Sequence, residues 1–321
     1  MEKRVLVGIP NFASNCSEGL ALLLEHGFTV DMNPHQRSFR PEELQPIIGG
    51  YTAVISELER WDEALFSQAH SLKILSRNGV GLDNIDLPAA RRAGVLITYA
   101  KGMNAASVAN MAVGLMLAAL KKIAHMDRGL RQGCWCSEIG HDLDGRTIGF
   151  LGFGQIAQET AKRLSGFPVS MMAYDPYQPE ETFVGTGVQK AELDQVLRTC
   201  GVISIHLPHS EQTHHIIGPD ALSIMRPDAV LINTSRGGLV DQQALYRALV
   251  DDKIAAAGID VYEHEPLDPL DPLLTLDNIV CTPHVSGNTK EACQKVGYQV
   301  AKDIVAFFEG RAPELVAQWN E

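Results

Sequence analysis

The feature that most constrains this chain is a glycine turn set between an apolar run and a helical one, in RTIGFLGFGQIAQETAKRL (146–164). Gly152-Phe-Gly154-Gln-Ile-Ala157 follows the run ending at Leu151. Gly152 permits a tight turn, Gly154 lets a pyrophosphate approach the backbone, and the small Ala157 lets the helix pack on the strand. Amides at the helix N-terminus then face the phosphates. Alone the pattern is weak, because glycine turns are common. It gains weight from Asp175, 23 residues beyond Gly152 and directly after the predicted strand 169–174. A carboxylate there binds both adenosine ribose hydroxyls and repels a 2′-phosphate. The pattern predicts an NAD site inside a parallel α/β sheet.

The rest of the chain fits that setting. At 321 residues it is long enough for two domains. RVLVGI, FTVDM, TAVIS, LKILS and VLITY in the first hundred residues read as strands, with CSEGLALLLEHG and RWDEALFSQAH as helices. After the glycine turn, PVSMMAYDP, CGVISIHLP, DAVLINTS, IAAAGIDVY and NIVCTPH continue the alternation, and TKEACQKVGYQVAKDIVAFFEG is helical up to Gly310. The expected class is α/β, built from parallel sheets. A long Ala-, Met- and Leu-rich helix over about 104–125 is placed to bridge or brace two domains.

Several functions are disfavoured. The formal charge of −12 gives no long-range attraction to nucleic acid or anionic lipid. The longest apolar stretch, 105–120, is shorter than the roughly 20 residues of a membrane span, and Ser107 and Asn110 interrupt it. The N-terminus reads as a first strand rather than a signal peptide. Six scattered cysteines (16, 134, 136, 200, 281, 293) lack redox or zinc spacing, so free thiols in a reducing cytoplasm are expected.

Three polar residues occupy equivalent places. Arg236 follows the predicted strand 228–235, Glu265 follows 254–262, and His284 ends the segment 278–284. Ligands of open α/β sheets bind beyond the carboxyl ends of strands, so these loops can converge. Reduction of a 2-oxo acid needs a cation for the carboxylate, a proton donor for the carbonyl oxygen, and an anion that keeps the donor charged. Arg supplies a bidentate fork, His the acid/base, and Glu favours the imidazolium. Each alone is ordinary surface chemistry; their joint placement after the glycine turn is what points to function.

At this point the sequence resembles the D-isomer-specific 2-hydroxyacid dehydrogenases, most closely their phosphoglycerate dehydrogenase branch. The matching text is RNGVGLDNID (77–86), GFLGFGQIAQETAKRL (149–164), YDPY (174–177), HLPHSEQTHHII (206–217), LINTSRGGLVDQQAL (231–245), GIDVYEHEP (258–266) and TPHVSG (282–287), which together cover nearly the whole chain. The resemblance implies catalytic roles for Arg236, Glu265 and His284. It implies that Gly152, Gly154, Gln155, Ile156, Asp175, His206, Pro208, Thr234 and Asp260, with His284, line the cofactor. It also implies that Asn78, Gly79, Val80 and Gly81, preceded by Arg77, hold the substrate carboxylate through backbone amides. The implied architecture is two Rossmann-like, doubly wound parallel-sheet domains with an active-site cleft between them. A discontinuous, flavodoxin-like substrate domain (1–100 plus 287–321) would flank an NAD-binding domain (101–286). The implied partners are a small 2-oxo or 2-hydroxy acid and a second copy of the chain, which would dimerise through the cofactor domain near 104–145.

Departures bear on the substrate. Asn110 stands where the family usually has Glu, and no text matches the regulatory domains of long phosphoglycerate dehydrogenases. TAVISELER lacks the early Arg used for phosphate, leaving Arg77 or Arg60 as substitutes. A small or singly charged 2-oxo acid is therefore expected, with phosphohydroxypyruvate as the close alternative. Competing readings are an NADP-linked glyoxylate or hydroxypyruvate reductase, which would want Arg after 169–174, and an NAD(H)-sensing corepressor of the same fold. A metal site at His206, His209, His214 and His215 is not expected, because adjacent histidines cannot face one way on a strand.

Overall fold

The computed structural model describes residues 3–135 and 137–317. The chain divides into two compact units, Met1–Asn104 with Asn288–Glu321, and Ala105–Gly287.

The first unit holds β1 (Arg4–Val7), β2 (Thr29–Met32), β3 (Ala53–Ser56), β4 (Ile74–Arg77) and β5 (Leu96–Tyr99). They pair in parallel in the order β2-β1-β3-β4-β5. Alternate residues feed two cores. Val5, Val7, Ile55 and Ile74 pack under the helices Ser17–Glu25 and Lys290–Phe308, against Leu23, Val300 and Ile304. Leu6, Val54, Leu75 and Ile97 point the other way, against Leu65, Phe66 and Leu87. Burial on both faces is why the central strands β1, β3 and β4 are mostly apolar, whereas the edge strand β2 has no buried residue. The Thr289 hydroxyl accepts from Ala292 N and starts the long C-terminal helix, and Gly310, at φ 74, turns the chain after it.

The second unit holds β6 (Thr147–Leu151), β7 (Ser170–Tyr174), β8 (Val188–Lys190), β9 (Val202–Ile205), β10 (Val230–Asn233), β11 (Ala256–Ile259) and β12 (Ile279–Cys281). All are parallel, in the order β12-β11-β10-β9-β6-β7-β8. The order reverses between β6 and β9, the switch point at which doubly wound sheets take ligands. β8 is absent from the sequence reading; it has three residues, of which only Val188 is buried.

The segment expected as one helix over 104–125 is two, Ala105–Leu120 and Ile123–Arg131, bent by 66° where Lys122 takes a left-handed φ of 52. No single described helix is long and apolar enough to cross a membrane. Ala105–Leu120 packs on β10, β11 and the helix Gln155–Leu164. There Asn110 Oδ1 accepts from Arg163 Nε at 2.5 Å, a bond from a neutral acceptor where a Glu would form an ion pair. Cys16, Cys200, Cys281 and Cys293 are free thiols. Cys134 is disulfide-bonded, which corrects the expectation of free thiols throughout, and Cys136 lies outside the described residues.

Candidate active site

The glycine turn closes β6 onto β9. Gly152 sits at φ 89, and a Cβ on it would meet the carbonyl oxygen of His206 at 2.7 Å, so both backbone angle and close approach require glycine. Gly154 needs neither. Its φ is −77, and a Cβ there would enter open space among the described residues. It is also the N-cap of Gln155–Leu164, with no side chain capping the helix. First-turn amides without a cap, beneath space that a side chain would fill, fit a pyrophosphate. Gln155, exposed, and Ile156, half-buried, form that first turn.

Asp175, 8% exposed, ties the turn to the end of β7. Its Oδ2 accepts from Phe153 N at 2.8 Å, and its Oδ1 from Tyr177 N and Gln178 N at 3.0 and 3.1 Å. These bonds hold the carboxylate at the edge of the turn. Beyond β9, His206 Nε2 pairs with Ser204 Oγ at 2.9 Å, and burial pushes the ring down to about 3, so it is neutral near pH 7. His206 Nδ1 and Thr234 Oγ1 are buried without a partner among the described residues. Two unsatisfied polar atoms past neighbouring strand ends are what a ligand site leaves in a bare protein. Pro208, in the same loop as His206, is exposed, and its carbonyl accepts from Thr213 Oγ1.

Arg236, Glu265 and His284 stand on the loops after β10, β11 and β12, three neighbouring strands. Asn233 shapes the first loop, accepting from Ser235 N and donating to Arg236 O at 3.0 and 2.9 Å. Arg236 Nη1 donates to Ser235 O. Gly237 brings the loops after β10 and β11 together, since a Cβ on it would lie 1.9 Å from the Tyr262 carbonyl. Glu265 Oε1 accepts from Tyr262 N at 3.0 Å, and Oε2 lies 2.6 Å from His284 Nδ1. Burial pushes the Glu265 carboxyl up. The His284 bond, the Tyr262 amide and the Arg236 charge outweigh it and hold the carboxyl below the ordinary carboxylate range. With Nδ1 on an ionised carboxylate, Nε2 is the ring nitrogen left to hand over a proton.

His284 has a φ of 53, which few non-glycine residues adopt. Asp260, fully buried, keeps it there. The Asp260 carbonyl accepts from His284 N at 2.8 Å. Its Oδ1 accepts from Thr282 Oγ1 and Val285 N at 2.6 and 2.9 Å, and its Oδ2 accepts from Ser286 N at 2.8 Å and from Ser286 Oγ. Expected as a cofactor contact, Asp260 is in this structure committed to the loop that carries His284. Its clamp partners Thr282 and Ser286 lie in the TPHVSG block, whose role in holding His284 the sequence alone does not reveal.

In the first unit, Arg77 is 9% exposed and holds the loop that follows it, donating to Asn78 O and Gly81 O at 2.7 and 3.1 Å. A Cβ on Gly79 would lie 2.2 Å from Arg77 Nη1. Asn78 N donates to Ser56 O and Ala100 N to Gly79 O, and Val80 and Gly81 are half-buried. Arg77 Nε and Nη1 are thus bonded to the loop that they precede. Contrary to expectation, His214 and His215 do not lie on a strand. His214 and His215 lie in a turn with His215 at φ 50, and their rings stack at 3.9 Å. His215 Nε2 meets Glu263 Oε1 at 2.5 Å. No group of three His, Cys, Asp or Glu among the described residues is arranged to hold a metal.

Comparison with known proteins gives the site its family. Residues 113–286 match the family described as D-isomer specific 2-hydroxyacid dehydrogenase, NAD binding domain. The chain is 37% identical over 296 residues to a D-3-phosphoglycerate dehydrogenase of Archaeoglobus fulgidus, covering 91% of this chain and 56% of that one. It therefore spans little more than half of that relative. It is 37% identical over 302 residues to a glyoxylate reductase of Korarchaeum cryptofilum, covering 92% and 91%. Among solved structures, the TT0316 protein of Thermus thermophilus superposes with a TM-score of 0.89 at 30% identity, over 98% of this chain and all of that one. The chain belongs to the D-isomer-specific 2-hydroxyacid dehydrogenase family and carries its nicotinamide-dinucleotide-binding domain.

Proposed function

We propose that the chain is an NAD-dependent D-2-hydroxyacid dehydrogenase that interconverts a 2-oxo acid and its D-2-hydroxy acid. The observation that carries this reading is the Glu265–His284 bond of 2.6 Å, on a loop clamped by Asp260 and next to the loop of Arg236. Arg236 binds the substrate carboxylate through its planar fork. His284 Nε2 gives a proton to the carbonyl oxygen during reduction and takes it back during oxidation, while Glu265 steadies the charged ring. The bound nicotinamide supplies or accepts the hydride. Gly152, Gly154, Gln155, Ile156, Asp175, His206, Pro208 and Thr234 form the cofactor site, and Asn78–Gly81 offer amides to the substrate carboxylate.

Asp175 supports NAD over NADP, because a carboxylate directly after β7 would repel a 2′-phosphate. The commitment of Arg77 to its own loop supports a small 2-oxo acid over a phosphorylated one. Ile123, Leu130, Trp135 and Ile139 are 52–90% exposed around the end of the second unit's first helices, and we assign this face to a second copy of the chain. Light scattering checks the dimer. A panel of 2-oxo acids assayed with NADH and NADPH tests the activity. The account expects turnover with NADH, and none with any acid would remove it.

A further inference from the structure

The loop after β9 carries His206 and Pro208 and then three histidines that the proposed chemistry does not use. His209 Nε2 and His214 Nδ1 are 3.1 Å apart, the His214 and His215 rings stack at 3.9 Å, and His215 Nε2 meets Glu263 Oε1 at 2.5 Å. The row of side chains ends two residues before Glu265. Both of its ends also touch the loop after β10. His215 N donates to Gly238 O at 2.9 Å, and a Cβ on Gly238 would lie 2.6 Å from His209 Nε2.

Glu263 is held from a second side. Its Oε1 accepts from Gln242 N at 3.4 Å, and its own N–H donates to Gln242 Oε1 at 3.3 Å. Gln242 opens the helix Gln242–Val250, and a carboxylate on a first-turn amide is favoured by the helix dipole. A Cβ on Gly237 would lie 2.5 Å from Glu263 N, so Glu263 backs directly onto the residue after Arg236. One side chain and its amide thus tie the loops after β9, β10 and β11 together. Glu265 depends on the same turn, because its Oε1 is held by Tyr262 N at 3.0 Å.

We propose that His215 and Glu263 are positioning residues of the reaction: their pair fixes the turn 262–265 against the two neighbouring loops and so sets Glu265 for its bond to His284. This rests on the dehydrogenase reading above and adds two residues to the three assigned there. Neither has to touch substrate or cofactor. A bond of 2.6 Å leaves little room for a displaced partner, and a misplacement of about 1 Å can cost about 100-fold in rate.

The test measures kcat and KM for NADH with hydroxypyruvate and with glyoxylate, NADH affinity by fluorescence, and the thermal midpoint. Glu263→Ala should lower kcat by about tenfold or more while NADH affinity stays within about twofold of wild type. His215→Ala should do the same, and the double variant should lose no more than the worse single one, because the two side chains act as a pair. Glu263→Gln keeps an acceptor for His215 Nε2 and Gln242 N, so it should recover most of the lost kcat. Added to Glu265→Gln, Glu263→Ala should lower kcat by less than about threefold, because it acts through Glu265. Wild-type kcat in folded Glu263→Ala, no recovery in Glu263→Gln, or a loss that multiplies in full on Glu265→Gln overturns the proposal. If Glu263→Ala does not fold, His215→Ala, alone and added to Glu265→Gln, decides by the same criteria. Wild-type protein that reduces neither acid contradicts the dehydrogenase reading itself, a different outcome from turnover that these variants leave unchanged.

Discussion

Replacing Asp260 by Asn tests how the fold holds its proposed proton donor. Both carboxylate oxygens are fully buried and accept two bonds each, from the Thr282 hydroxyl and Val285 N and from the Ser286 hydroxyl and N. Hydroxyls can turn away from an amide nitrogen; backbone N–H groups cannot. Whichever way the Asn amide sits, its nitrogen faces Val285 N or Ser286 N, and one buried amide loses its acceptor. That costs about 1–3 kcal/mol, and the remaining bonds lose their charge assistance, so a total of about 2–4 kcal/mol is expected. The same clamp holds His284 at φ 53, a conformation costing about 1–2 kcal/mol for an ordinary residue. A loosened loop lets His284 leave that conformation and its bond to Glu265. The thermal midpoint should fall by about 5–10 °C, at about 2–4 °C per kcal/mol for a unit of this size, and turnover by about 100-fold or more. Ser286→Ala should be milder, and the double variant less than additive, because the two side chains are in contact. An Asp260→Asn protein with wild-type midpoint and turnover would refute the clamp.

Three further outcomes follow from the same geometry. Glu265→Gln replaces the carboxylate that takes the His284 Nδ1 bond by an amide, so turnover with NADH should fall by about tenfold or more, and wild-type turnover in the variant would dissolve the pairing. Asp175→Ala should narrow the NADH-to-NADPH preference, chiefly by weakening NADH, whereas better wild-type efficiency with NADPH would count against the assignment of Asp175. His206 is neutral in the fold, pushed down to about 3 from an ordinary 6.5. The stability tied to it is fully present above about pH 6.5 and is lost as pH falls toward 3, so the midpoint should drop across that window. His206→Gln should flatten the drop, and an equal slope in variant and wild type would argue that another group is responsible.

Much of this was legible in the sequence, for identifiable reasons. Strands buried on both faces, such as β1, β9 and β10, are short and mostly apolar, and the glycine turn is marked because only glycine suits the φ and the close approach at Gly152. Arg236, Glu265 and His284 stood out because each follows a predicted strand, and the resemblance gave them their roles. What stayed hidden depends on partners distant in the chain. Nothing local tells whether a carboxylate faces inward. Asp260 is a clamp only because residues 282–286 return to it, and Glu59 is buried only because β1 ends beside β3. The break at Lys122 has no glycine or proline to announce it. The edge strand β8 is too short and too polar to show a period. The stacked His214 and His215 rings follow from a turn that propensity had no means to place.

The most direct measurement of the central claim is NADH consumption with hydroxypyruvate and glyoxylate, for the wild type and for His284→Asn, with NADH affinity determined alongside by fluorescence. The account predicts that the wild type oxidises NADH and yields the D-2-hydroxy acid where the product is chiral. It predicts that His284→Asn binds NADH normally but loses turnover by roughly 10²–10⁴-fold. Wild-type protein that binds NADH yet reduces neither acid, or a variant as fast as wild type, would contradict it.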